Sequence, residues 1–568
     1  MKCRSLYHLV IIFLICSVVL ILRYAGKTGP DSDTALLPLT ALHVMQGKPF
    51  PFFGYGPDSQ AGMSAVPIIQ LMFENLGISY LWAELLFALI NAGIITMFSI
   101  FILCETNFFT AAVFAATFVL FPHDAGVPIV GLKPGFHHLS IFFSLLNGNL
   151  LCWYINKIIS DKALKISAHL FLSFFTFMVL PGLTYWSSKL GFLLLMTIFI
   201  TVFLGCRKIL ARKISHFYPR VKALKSDLSI FLITHCKVKF TLFSLLVVLF
   251  LSLLFIQLYP EKNLFDYSSP KNIQEKSVVP EIQFAPKIET HQFSAVNFIA
   301  LVQKDFERIK NNIFFMPKLY LKLFSNFIHP IIFLWAVLPL LLGGYYYFSK
   351  RKEFFSFLSG NWTEIKFKWI ILAIPFSNIL IICLRHESLN DLGYIRYFVS
   401  LNLSALAFIP LYFSLIQKPF LKNFLLTLYL FLAVASYFQS QPKYYKELND
   451  IPSKINFITS MYSDQLRLSP SEKKLIHFLE DEQLHFGYAN YWSSYRLTFL
   501  THERFIISPR PGQLIRYKPY DNMVKSSKNP FYMFDSKLGD DPEAYKRLHP
   551  VIFKNLRQKR FNNILIFY

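Results

Sequence analysis

Acidic residues are scarce in this chain. Its 568 residues include 33 Asp and Glu against 57 Lys and Arg, and charged residues of both signs make up only 16%. Cysteine is scarcer still. The seven (Cys3, Cys16, Cys104, Cys152, Cys206, Cys236 and Cys383) include no C-x-x-C pair, which argues against a zinc site of that kind. P-loop, nucleophile-elbow, H-E-x-x-H and dinucleotide-binding motifs are all missing, so those enzyme classes lose their local signatures. No repeat or low-complexity tract stands out. The basic start at Lys2 and Arg4 and the apolar run Leu9 to Leu22 lack a small-x-small cleavage site, which predicts an uncleaved first span rather than a removed signal peptide.

What the chain has instead is apolar mass. Hydrophobic residues make up 54% of it, and 62 residues are phenylalanine. That is more apolar surface than a soluble domain needs. The expected fold class is an α-helical polytopic membrane protein of about eleven transmembrane helices. Apolar runs place them near 6–24, 77–103, 107–121, 138–156, 166–181, 188–205, 238–259, 328–348, 367–385, 397–416 and 419–438.

The net charge of +24 would suggest nucleic acid in a soluble chain. Here it reads as topology. With a cytoplasmic N-terminus, Lys157, Lys162 and Lys165, the cations of 206–237, and Lys350, Arg351, Lys352 and Lys366 all fall on the inside, as positive-inside bias requires. Residues 1–438 then form a transmembrane domain with outside loops 25–76, 122–137 and 260–327, and the tail 439–568 is extracytoplasmic. No nucleic-acid partner is expected, but membrane lipids are.

Within 260–327, Ala295, Ile299, Val302, Phe306, Ile309 and Ile313 make one helical stripe. It suits either a helix lying on the membrane or one packed on other outside parts. The tail carries a helix-start signature at Ser469-Pro470-Ser471-Glu472 and short strand-like runs at 505–508, 531–534 and 563–568. These predict a small α/β domain.

Chemistry concentrates in the scarce polar residues of the outer face. Asp31 and Asp33 follow the first span directly. A partly desolvated carboxylate there can act as a general base, and Asp33 also suits an N-cap of the run Ala35 to Met45. The pair could hold a divalent cation, although no cofactor is required. Gly54-Tyr55-Gly56 reads as a turn. Lys133, His137 and His138 can bind phosphate or pack at the interface. Glu84 lies inside a predicted span, where an acid is a functional suspect, although pairing is the commoner outcome. Arg396, at a span's outer end, can grip a lipid phosphate or snorkel to the headgroups. The aromatic stretch Gly487 to Leu500 suits a domain core, a packing face or a sugar-stacking surface.

The order of these parts resembles the GT-C superfamily of polytopic glycosyltransferases, which includes protein mannosyltransferases and lipid A aminoarabinose transferases. The resemblance rests on Asp31-Ser-Asp33-Thr-Ala after the first span, a helix ending Gly47-Lys48-Pro49, Gly54-Tyr55-Gly56, and a long outside loop before a late span. An arginine at an outer span end and a soluble outside tail also fit. Gly182-Leu183-x-x-Trp186 and Gly487-Tyr-Ala-x-Tyr-Trp492 further resemble bacterial members, which implies a bacterial inner-membrane location.

The resemblance implies transfer of a sugar from a polyprenyl-phosphate carrier to a lipid, glycan or protein acceptor at the outer face, usually with inversion. Asp33 would be the general base, with Asp31 as runner-up. Arg396 would take the carrier phosphate. Lys48, Tyr55, Lys133, His137 and His138 are candidates for contacting substrate. Many members carry Asp-Glu where this chain has Asp33-Thr34, which leaves the choice of base and any metal use open. A flippase of lipid-linked glycans and a non-catalytic envelope scaffold are the rival expectations.

Overall fold

The structure is a computed structural model. It describes residues 3–24, 32–51, 62–120, 138–159, 180–187, 194–208, 415–439 and 464–568, together with single positions and short pieces elsewhere. The expected span near 238–259, residues 328–344 of the span expected near 328–348, and the 295–313 stripe lie outside the described residues. The chain divides into two compact units.

Among its described residues, the first unit is helical. It contains α1 (Cys3–Tyr24, up to Arg23), all but the first turns of α4 (Tyr80–Glu105), α5 (Phe108–Val119), α6 (His138–Ile159), α7 (Leu180–Ser187) and α8 (Pro419–Gln439). Among the described residues, two helices, Tyr80–Glu105 and His138–Lys157, are long and apolar enough to cross a membrane. Leu6–Ile21, Phe108–Val119 and Pro419–Phe431 are shorter apolar stretches. Helix α5 starts at Asn107, whose side chain accepts from the Thr110 amide, and this satisfies a donor that the helix itself leaves open.

Helix α1 has two apolar faces. Leu9, Ile12, Cys16 and Leu20 are buried, while Leu6, Tyr7, Val10, Leu14, Ile15 and Val18 stand exposed. Phe420, Phe424 and Phe431 of α8 are exposed as well. A helix that is apolar all round is one whose outer face does not meet water.

The second unit holds α2 (Ser32–Met45), α3 (Val66–Leu76), the first turns of α4 and the tail. The tail contains α9 (Pro470–Asp481), β1 (Phe486–Ala489), α10 (Tyr491–Leu500), β2 (Ile506–Pro509), α11 (Lys518–Ser526), β3 (Phe531–Asp535), α12 (Pro542–Leu548), α13 (Pro550–Phe553), β4 (Gln558–Phe561) and β5 (Ile564–Phe567). Helix α9 begins with the expected capping box, in which Ser469 and Glu472 satisfy each other's backbone amides.

The five strands form one sheet in the order β2-β1-β3-β5-β4. Strand β1 runs parallel to β2, with Phe486 opposite Ile506, and parallel to β3. Strand β5 pairs antiparallel with both β3 and β4. The β1–α10–β2 crossover is what parallel pairing demands. The β4–β5 hairpin turns at Asn562, in left-handed backbone at φ 51°, a conformation asparagine tolerates. Strands β2 and β5 are buried along their whole length, so the central sheet is covered on both faces. Gly487 of β1 sits under the Phe531 ring, where an added Cβ would come within 2.5 Å of the ring. The edge strand β4 is exposed and carries Lys559 and Arg560, charges that discourage further strand addition.

Candidate active site

Helix α2 packs along α10 within the second unit. From Thr34 to His43 every residue is buried. Helix α2 begins at Ser32, two residues earlier than a cap at Asp33 requires, so Asp33 sits inside the first turn. A carboxylate there is favoured by the helix dipole. Helix α10 begins immediately past the C-terminal end of β1, and Asn490 caps it by accepting from the Ser493 amide at 3.0 Å. The carboxyl ends of parallel strands are where open α/β sheets gather ligands.

Tyr491, the first residue of α10, donates its hydroxyl hydrogen bond to Asp33 Oδ1. Its backbone amide donates to Gln513 Oε1 at 2.9 Å. Burial, and then the negative charge of Asp33, push the Tyr491 phenol above its ordinary range, while a hydrogen bond from Arg516 pulls the other way. Tyr491 therefore stays a proton donor to Asp33 at neutral pH. Arg516 is held in turn by its backbone. Its amide and that of Tyr517 donate to the Tyr495 hydroxyl at 2.6 and 3.0 Å, and burial pushes Tyr495 up to about 12. Carboxylate, phenol and guanidinium thus meet where α2 and α10 begin.

The far end of α2 is pinned separately. Gly47, at φ 82°, closes the helix. Its amide reaches Val44 O and the Lys48 amide reaches His43 O, both at 3.0 Å, which is a Schellman ending. Just before it, His43 Nε2 lies 3.0 Å from Glu503 Oε1 and 2.8 Å from the Tyr520 hydroxyl. Tyr520 donates to the same Glu503 oxygen at 2.6 Å, and Gln46 donates to the other at 2.5 Å. Burial opposes the Glu503 charge, but hydrogen bonds from His43, Tyr520 and Gln46 hold its carboxyl well below the usual carboxylate range. His502 and Glu503 both occupy left-handed backbone, at φ 50° and 60°. That conformation is costly for such residues and persists only when the surroundings enforce it.

A third buried cluster ties the start of α4 to the tail. Asp464 accepts from the Tyr80 amide at 2.9 Å. Arg467 forks onto Glu84 at 3.0 and 2.8 Å, with both side chains 4% exposed. For Glu84 the bland expectation therefore holds: it is a paired acid.

The other expected residues fall as follows. Lys48 meets Glu503 Oε1 at 3.5 Å and the Tyr517 ring at 5.7 Å. It thus takes part in the α2 anchor. His138 opens α6 in the first unit and is buried. Asp31, Tyr55, Lys133, His137 and Arg396 lie outside the described residues. In the aromatic stretch, Tyr488, Tyr495 and Phe499 are core and Trp492 is half-exposed, while Tyr491 belongs to the site. No local pattern singled it out from its neighbours. Among the described residues, no group of three or more His, Cys, Asp or Glu is arranged to hold a metal ion. Asp33 meets a phenol, and no step below passes through a metal.

No protein-family profile matches the chain, and no curated protein does either. Two solved structures are similar to it. One is the Archaeoglobus fulgidus oligosaccharyltransferase in complex with zinc and sulfate, at 13% identity and a TM-score of 0.44, with 93% of this chain and 68% of that one covered. The other is the archaeal oligosaccharyltransferase AglB from Archaeoglobus fulgidus, in complex with an inhibitory peptide and a dolichol-phosphate. It gives 12% identity, a TM-score of 0.42, and coverage of 100% and 75%. Both scores fall below 0.5, so the likeness carries no weight for fold or function.

Proposed function

We propose that this chain is a membrane-embedded glycosyltransferase of the GT-C type, moving a sugar from a polyprenyl-phosphate carrier to an acceptor hydroxyl or amide at the outer face. One observation carries the reading: the carboxylate of Asp33, in the first turn after the first apolar helix, is oriented by Tyr491 of the tail, whose hydroxyl also accepts from Arg516. Support for the membrane setting comes from the apolar outer face of α1, the two helices of spanning length, and the loop charge bias.

In this reading Asp33 takes the acceptor proton as the acceptor atom bonds to the anomeric carbon. The bond from that carbon to the carrier phosphate breaks, the phosphate leaves with the electron pair, and attack from the opposite side inverts the centre. Tyr491 fixes the orientation of the base. Arg516, hydrogen-bonded to the Tyr491 hydroxyl, helps to hold that phenol in place. Arg396 stands as the candidate for the carrier phosphate. Nothing in this scheme assigns the sugar or the acceptor. The flippase alternative loses its main suspect, because Glu84 is committed to Arg467.

The test is Asp33→Asn in full-length protein, assayed for transfer from a lipid-linked sugar. General-base catalysis is worth about 10²- to 10⁴-fold, and a loss of that size is expected. Undiminished transfer by a stably folded Asp33→Asn variant would sink the assignment.

A further inference from the structure

The end of the tail presents a surface that the proposed transfer reaction does not use. After Glu543 the chain has no acidic residue, while Lys546, Arg547, Lys554, Arg557, Lys559 and Arg560 follow within it. Three large apolar side chains stand out among these cations: Leu548 is 73% exposed, Val551 87% and Ile552 39%. A single exposed leucine needs no explanation, but three such side chains within five residues do.

Lys546, Val551, Lys554, Arg557 and Tyr568 line one open depression of about 950 Å³, so these cations share a face with Val551, and Leu548 and Ile552 lie within three residues of it in sequence. The cations there are only partly compensated. Arg557 lies 3.5 Å from Glu482 and stacks over the Tyr568 ring, and Lys546 lies over Phe567. Glu543 is the remaining acid of α12.

We propose that this face, built from α12, α13 and the start of β4, docks on an anionic lipid bilayer. Leu548, Val551 and Ile552 enter the headgroup layer, and Lys546, Lys554 and Arg557 meet lipid phosphates. Apolar tips ringed by cations are the pattern of an interfacial anchor. The proposal rests on the membrane reading above in one respect: a chain inserted in a bilayer keeps its own tail at high local lipid concentration.

The experiment is amide hydrogen exchange on the full chain in nanodiscs of phosphatidylcholine alone, and in discs where phosphatidylglycerol replaces part of it. Exchange across 546–557 is expected to slow several-fold in the anionic discs, and the Lys554→Glu/Arg557→Glu double variant is expected to abolish the difference. Incorporation into both discs with equal exchange overturns the docking face but leaves the membrane reading standing. A chain that stays in the aqueous phase overturns the membrane reading. The docking face then stands if that chain sediments with phosphatidylglycerol vesicles and not with phosphatidylcholine ones, and falls otherwise. Slowing by added polyphosphate and not by anionic discs also overturns it, in favour of an anionic polymer.

Discussion

The hydroxyl of Tyr491 donates to the carboxylate of Asp33 across 458 positions of sequence. A charged acceptor makes this one of the stronger kinds of hydrogen bond, worth about 1.5–3 kcal/mol. Tyr491→Phe keeps the ring packing against Trp492 and Tyr495 and removes the hydroxyl, with its bond to Asp33 and the one it accepts from Arg516. It is expected to lower kcat by roughly 10- to 100-fold and to lower the melting midpoint as well, because the same bond also stabilises the fold. Single-turnover transfer assays on wild type and variant, with melting curves alongside, check this. Unaltered kcat would show that Asp33 does not depend on Tyr491.

Glu503 makes the stability of the second unit depend on acid. Its folded-state pKa is depressed, so its contribution is complete above the unfolded glutamate value of about 4.3 and is lost as pH falls toward the folded value. Thermal unfolding followed from about pH 5 down to about pH 2 is expected to show a falling midpoint, and Glu503→Gln is expected to flatten that dependence. The same variant leaves His43 and Tyr520 facing a neutral amide, so its midpoint at pH 7 should already be lower. An equally steep acid dependence in Glu503→Gln would mean that other carboxylates cause it.

The Arg467–Glu84 pair is buried on both sides. Removing one partner of such a pair leaves an uncompensated charge and costs about 3–5 kcal/mol, whereas replacing both by apolar residues of similar volume is often neutral. Asp464 also lies 3.6 Å from Arg467, so Glu84→Leu alone is expected to destabilise by less than an isolated pair would, and Glu84→Leu with Arg467→Met to recover only part of the loss. Unfolding in detergent distinguishes the two. If Glu84→Leu keeps full stability and blocks movement of a lipid-linked substrate, Glu84 is a pathway acid after all.

What could be read in the sequence divides along physical lines. The starts of α6 and α9 were legible because local rules set them: a long apolar run from His138, and a capping box at Ser469. Strands β2, β3 and β5 announced themselves as apolar runs. Strand β4 did not, because Gln558-Lys559-Arg560 sits exposed at a sheet edge and needs no apolar alternation. Strand β1 was hidden inside an aromatic stretch that read as packing. Asp33 stood out, together with Asp31, as one of two acids directly after an apolar helix. Its partner Tyr491 had no local mark, since only the packing of α2 on α10 brings them together. Glu503 was hidden for the same reason, in a turn whose left-handed backbone has no glycine to signal it.

The outer stripe of α1 gives the membrane reading its most direct test. Leu14 is 55% exposed near the middle of a 22-residue helix, a length on the order of 30 Å and enough to cross a bilayer. If that stripe faces lipid, Leu14→Arg places a charge close to the bilayer centre, at a cost of about 2.5–3.5 kcal/mol on insertion scales. If it faces water, the same change is an ordinary surface substitution worth within about 0.5 kcal/mol. Carbonate extraction of membranes expressing the full chain separates these cases, with Leu14→Phe as the apolar control. The expected result is a marked loss of integrated protein for Leu14→Arg and none for Leu14→Phe. Equal integration of both variants would remove α1 from the lipid interface. The proposal that Asp33 works at a membrane surface would then lose its support from α1.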